Sequence, residues 1–154
     1  MSLLKGDNIQ FSQNQSKLFF DDGNITIAVS GIVGEFMDYH QIIPKPKYTI
    51  EIDRNELLEK LETINVAVSD KHKSPLSITI VNNEFQMKIT DGEFTFEDSM
   101  SIKADFEFSF KINARFLYEA VNSFDYDFEM HLDTAKQPVI LENENQLAIV
   151  VPML

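Results

Sequence analysis

The groups in this chain able to do acid–base or metal chemistry are three histidines, His40, His72 and His131, and a large set of carboxylates. No two of the histidines sit at a metal-ligand spacing. His131 alternates with Asp127 and Glu129, and the acids Asp125, Asp127 and Glu129 alternate with Phe124, Tyr126 and Phe128. A two-residue period with one apolar side describes a half-buried strand whose polar face is solvated. Glu142 and Glu144 in "ENEN" read as a hairpin turn. Carboxylates could serve general acid–base catalysis only if the fold brought two of them together in a cleft. The nucleophile elbow, the phosphate loop, H-E-x-x-H and the Gly-rich dinucleotide turn are all absent. With no Cys, thiolate chemistry and disulfides are excluded, and a reducing cytoplasm is permitted. No cofactor is expected. A catalytic or ligand-binding reading would take the form of a hydrolase, or of a carbohydrate- or lipid-binding β-rich module, with a carboxylate-lined pocket.

Cations are scarce. The formal charge is −12, and Lys71 and Lys73 in "DKHK", with Arg54, Lys60 and Arg115, are the hint of a basic surface. Lys60 is outnumbered on its own helix by Glu56, Glu59 and Glu62. Such a body repels phosphate, so independent binding of nucleic acid by counterion release is not expected. No stretch approaches the roughly 18 uncharged apolar residues of a membrane helix.

Most of the chain that must position these groups reads as strands. "NIQFSQ", "SKLFF" and "ITIAVS" precede a Gly- and Pro-containing break, "SGIVGEFMDYHQIIPKPK". Beyond it, alternating segments continue to the end, with Asn82–Asn83 and Asp91–Gly92 as hairpin turns. Two segments switch to helical spacing. Leu57, Leu58, Leu61, Ile64 and Val68 recur over 54–68, and Phe116, Leu117, Ala120, Val121 and Phe124 over 114–124. Each follows a capping residue, Asp53 or Asn113, and Glu56 extends the first cap toward a capping box. Shifted by sixty positions, Ile50, Ile52, Asp53, Leu57, Leu61 and Ile64 meet Phe110, Ile112, Asn113, Leu117, Val121 and Phe124. Each copy reads strand, helix, three strands. A single copy leaves a helix face and a sheet face uncovered, so the two are expected to share one core. Residues 1–31, with three strands only, read as the end of another such unit, so the chain is expected to begin within a domain.

Two apolar stretches stand apart. Met37 and Ile42 lie in the break, and "AIVVPML" runs apolar to the last residue. Pro152 is expected to end strand pairing, leaving Met153 and Leu154 beyond the sheet.

Together these segments resemble the bacterial DNA polymerase III beta subunit, the sliding clamp. "SGIVGEFMDYHQIIP" is similar to its interdomain linker, "FKINARFLYEAVNSF" to its last helix, and "PVILENENQLAIVVPML" to its final strands and tail. The resemblance implies an α+β DNA-clamp fold, a duplicated β-α-β-β-β unit with two helices packed on one face of antiparallel sheets. It implies that residues 1–43 are the C-terminal strands of an incomplete second clamp domain plus linker, and residues 44–154 the third domain. It also implies a cytoplasmic, non-catalytic processivity factor that engages DNA polymerase III subunits, the clamp loader and repair polymerases through Gln-Leu-type peptides. In the family a full-length homodimer encircles duplex DNA; this shorter chain is expected to be monomeric. The implied peptide cleft comprises Met37, Gln41, Ile42, Pro138, Val139, Ile149, Val150, Val151, Pro152 and Met153. Arg54, Lys60, Lys71, Lys73 and Arg115 are the DNA-facing candidates.

Overall fold

A computed structural model describes residues 8–14, 16–31, 34, 43, 45–67, 75–91 and 94–153. The chain divides into two compact units, Met1–Asp38 and Tyr39–Leu154.

The first unit is an antiparallel meander of β1 (Gln10–Gln13), β2 (Lys17–Asp21) and β3 (Thr26–Ser30). Short polar side chains close its turns. Asn14 Oδ1 accepts from the Ser16 and Lys17 amides, and Asp22 Oδ1 from those of Asn24 and Ile25. Gly23, at φ +87°, takes the left-handed position of the second turn. The strand period gathers Phe11, Leu18, Phe20, Ile27 and Val29 on one face. No described residue of this unit is buried.

The second unit holds two copies of one motif. The first is β4 (Tyr48–Ile52), α1 (Arg54–Ala67), β5 (Pro75–Val81), β6 (Glu84–Asp91) and β7 (Phe94–Ser101). The second is β8 (Phe108–Asn113), α2 (Ala114–Asn122), β9 (Phe128–Leu132), β10 (Val139–Glu142) and β11 (Leu147–Val150). The copies exchange their leading strands: β4 pairs with β9 and β8 with β5, giving antiparallel sheets ordered β11-β10-β9-β4 and β7-β6-β5-β8. Neither sheet is complete without the other copy.

Helix starts follow the caps. Asp53 Oδ1 accepts from the Glu56 amide at 2.9 Å, and Asn113 Oδ1 from the Arg115 and Phe116 amides at 3.0 and 3.3 Å. The Asn82–Asn83 turn forms with both residues at positive φ (52° and 63°), as a two-residue hairpin requires. β6 and β7 pair up to Asp91↔Phe94; Gly92 lies outside the described residues. Leu57, Leu61 and Ile64 of α1 and Leu117 and Val121 of α2 enter one core with the inward residues of both sheets. Phe124 enters it from beyond the end of α2, its ring 4.9 Å from that of Phe128. Each fully buried Leu or Ile contributes about 1.5–3 kcal/mol. One helical expectation fails: Phe116, placed by its spacing in the core stripe, is 51% exposed. The buried arc of α2 is narrow, and Leu117 and Val121 fill it. Among the described residues no helix is long and apolar enough to cross a membrane.

Candidate functional site

The site is built where the chain leaves the second sheet. β11 ends at Val150, Val151 turns outward, and Pro152 bridges Ile112 of β8. The Met153 amide then donates to the Lys111 carbonyl at 2.8 Å. Pairing therefore does not stop at Pro152, as the sequence suggested. A proline lacks only a donor, and the free edge of β8 accepts the next amide. Pro152 is buried, Met153 half-buried, and Val151 65% exposed. Leu154 lies outside the described residues.

Beside this tail runs a groove of ≈ 520 Å³ between α2 and β11, walled by Phe116, Ala120, Ile149, Val151, Pro152 and Met153. Of the expected cleft residues, Ile149, Val150, Val151, Pro152 and Met153 are brought together here. Val139 is a core residue instead, paired with Val150 from the neighbouring strand, and Pro138 is half-buried just before β10. Met37, Gln41 and Ile42 lie outside the described residues. Phe116 and Ala120 are wall residues that sequence reading missed, since the helical spacing places both in the core stripe of their helix. Their signal was present in the duplication, because their counterparts sixty positions earlier are the charged Glu56 and Lys60.

The duplication makes the comparison exact along the strands as well. The rows Phe110–Ile78–Met87–Asp98 and Ile50–Met130–Leu141–Ala148 are equivalent, so Asp98 corresponds to Ala148 and Lys103 to Met153. At the first copy the equivalent position is closed by charge. Lys60 Nζ, in the place of Ala120, lies 2.9 Å from Asp98 Oδ2 and 4.0 Å from Glu56 Oε1. The hydrogen bond from Lys60 holds the Asp98 carboxyl below its ordinary value of 3.8.

The basic candidates are engaged locally. Arg54 donates from its amide to Asp127 Oδ1 at 3.0 Å and from Nε to the Phe124 carbonyl, joining the start of α1 to the turn after α2. Arg115 pairs with Glu119 one turn on at 2.7 Å. Lys71 and Lys73 lie outside the described residues, as do His40 and His72. His131 contacts Thr49 Oγ1 through Nδ1 at 3.0 Å, and its Nε2 lies 3.4 Å from Glu142 and 3.7 Å from Glu129. Among the described residues no group of three such ligands could hold a metal ion. Glu51, Glu129 and Glu142 form a row across β4, β9 and β10, but all three lie on an exposed strand face. With Asp53, Asp127 and Glu144 they line an open hollow of ≈ 1190 Å³ on that exposed face.

An interleaved pair of β-α-β-β-β units with two helices under antiparallel sheets is the architecture of sliding clamps. The solved DNA polymerase III beta subunit of Caulobacter crescentus superposes with a TM-score of 0.83 at 15% identity, covering 97% of this chain and 42% of that one. That of Pseudomonas aeruginosa gives 0.82 at 14%, covering 95% and 42%. The beta sliding clamp of Mycoplasmopsis pulmonis is 22% identical over 156 residues, covering 96% of this chain and 42% of the relative. The family model "DNA polymerase III beta subunit, N-terminal domain" matches residues 48–151. The chain belongs to the DNA polymerase III beta subunit family, and it spans less than half the length of these relatives.

Proposed function

We propose that this chain supplies the C-terminal part of a DNA sliding clamp, a non-catalytic processivity factor, and that its groove between α2 and the tail receives partner peptides. In this reading residues 44–154 are the third clamp domain and residues 1–43 the last strands of the second plus the linker. The resemblance implies the same duplicated unit in every domain of the family, so a match to the N-terminal domain's model does not choose among them; the linker and tail motifs carry the choice. The apolar face of β1–β3, with Phe11 58% and Val29 45% exposed, is consistent with that assignment. The resemblance assigns Met37, Gln41 and Ile42 of the linker to the same peptide cleft.

The observation that carries the reading is the apolar groove itself. Phe116, Ala120, Ile149, Val151 and Met153 wall it, whereas the equivalent positions of the first copy are Glu56, Lys60, Ser99, Ser101 and Lys103. A leucine or aromatic anchor needs such an apolar wall, which binding would desolvate. Polymerase III subunits, the clamp loader and repair polymerases, presenting Gln-Leu-type peptides, are the proposed partners. Duplex DNA is held by encirclement in a full-length homodimeric ring, with Arg54, Lys60, Lys71, Lys73 and Arg115 as the DNA-facing candidates; this chain alone is monomeric. A net charge of −12 opposes independent DNA binding.

The test is a chemical-shift titration with a peptide containing Gln followed by spaced Leu and Phe residues. Shifts should cluster at 116–120 and 149–153 and vanish when Met153 and Leu154 are deleted. Because the Met153 amide holds the tail to β8, the deletion also removes one hydrogen bond, so retention of the fold is checked by circular dichroism. Shifts clustering elsewhere would refute the assignment.

A further inference from the structure

We infer that the groove selects peptides whose apolar anchor is flanked by acidic residues, which Lys111 and Lys136 receive. The inference rests on the peptide-binding reading of the groove and deepens it. Met153 borders two hollows: the apolar groove on the helix side, and a second of ≈ 450 Å³ on the outer face of β5 and β8. The second is lined by Ser77, Thr79, Ser109, Lys111 and Lys136, together with Met153. Its backbone is the strand that anchors the tail, since Lys111 accepts the Met153 amide. A peptide crossing the tail from the first hollow therefore enters the second.

The second hollow carries two lysines free to meet an anion, a state they share, among the described residues, with Lys17, Lys45 and Lys103. Lys47, Lys60, Lys88 and Arg115 each face a carboxylate. Among the described residues neither Lys111 nor Lys136 is in an ion pair, and both are exposed. Ser109 Oγ donates to Thr79 Oγ1 at 3.3 Å, and both hydroxyls line the same hollow as the two lysines. Two cations and two hydroxyls lining one hollow next to the groove are a local complement to carboxylate, on a chain whose net charge of −12 repels anions in general.

The experiment compares three peptides sharing one Gln-Leu-Phe anchor: one with neutral flanks, one with two Glu before the anchor, one with two Glu after it. Fluorescence anisotropy is read with the whole chain and with its Lys111→Gln/Lys136→Gln variant. The better acid-flanked peptide should bind about three- to tenfold tighter than the neutral one at low salt. That advantage should disappear in the variant and at 0.5 M salt, while the affinity of the neutral peptide stays the same. Equal binding of all three peptides, or an advantage surviving in the variant, overturns the lysine seat and leaves the groove standing. Failure of every peptide to bind overturns the groove and this inference together.

Discussion

The two copies bury the same positions and expose different chemistry. From 51 to 60 and from 111 to 120 the pattern of burial is identical except at the cap, where Asn113 is buried and Asp53 is not. On that shared template the first copy places Glu56, Lys60 and Asp98, with the one ammonium shared between two carboxylates. The second places Phe116, Ala120 and Ala148 there, none of them charged, and Phe116 and Ala120 wall the apolar groove. The inward face answers to packing and tolerates little change, because a lost methylene leaves a void. The outward face is free of that demand, so one copy can be sealed by charge while the other stays open to a ligand.

The largest effect expected from this comparison lies where the copies agree. Leu57→Ala and Leu117→Ala, both at fully buried positions, should each destabilise the second unit by about 2–5 kcal/mol. Since the copies exchange strands, urea unfolding should remain one transition in both variants. Two separated transitions would show that the copies fold independently.

Exchanging the exposed chemistry should move binding and spare stability. Phe116→Glu, which writes the first copy's residue into the second, should weaken an anchor peptide by about 1–2 kcal/mol, roughly tenfold or more. Because Phe116 is half exposed, its thermal midpoint should shift little. An unchanged peptide affinity would remove Phe116 from the wall.

Opening the charged groove should cost less. Lys60→Met is expected to destabilise by up to about 1 kcal/mol at neutral pH, with solvent screening keeping the value low because Asp98 is 39% exposed. Asp98 is depressed in the folded state, so its contribution is complete above the ordinary value of 3.8 and is lost as the pH falls through the folded value. The gap between wild type and variant should therefore be full at pH 7 and shrink below pH 3.8. A gap that widened on acidification would contradict the pairing.

The smallest effect concerns the carboxylate row. Glu129 stands between Glu51 and Glu142, and like charges directly opposite one another across strands are unfavourable. Glu129→Gln should raise stability by a few tenths of a kcal/mol, about 0.2–0.5, at low salt. The gain should fade as salt is added, a trend measurable by calorimetry.

What the sequence determined by itself is everything carried by local periodicity. Hydrophobic spacing marked both helices to within a few residues, alternation marked the strands, and Asp53 and Asn113 marked where each helix begins, because backbone hydrogen bonding and side-chain direction repeat at fixed short intervals. The duplication was legible for the same reason. Only the tertiary structure decided how the copies join. Strand exchange pairs Ile50 with Met130 and Phe110 with Ile78, contacts between residues far apart that no local pattern encodes. It likewise decided that Phe116 faces outward although its spacing fits the core stripe, since Leu117 and Val121 already fill the inward arc of the helix. The tail follows the same rule. Its apolar character was plain in "AIVVPML", but its course past Pro152 depended on a free edge of β8 lying within reach of the Met153 amide. That edge exists only once the two copies have folded together.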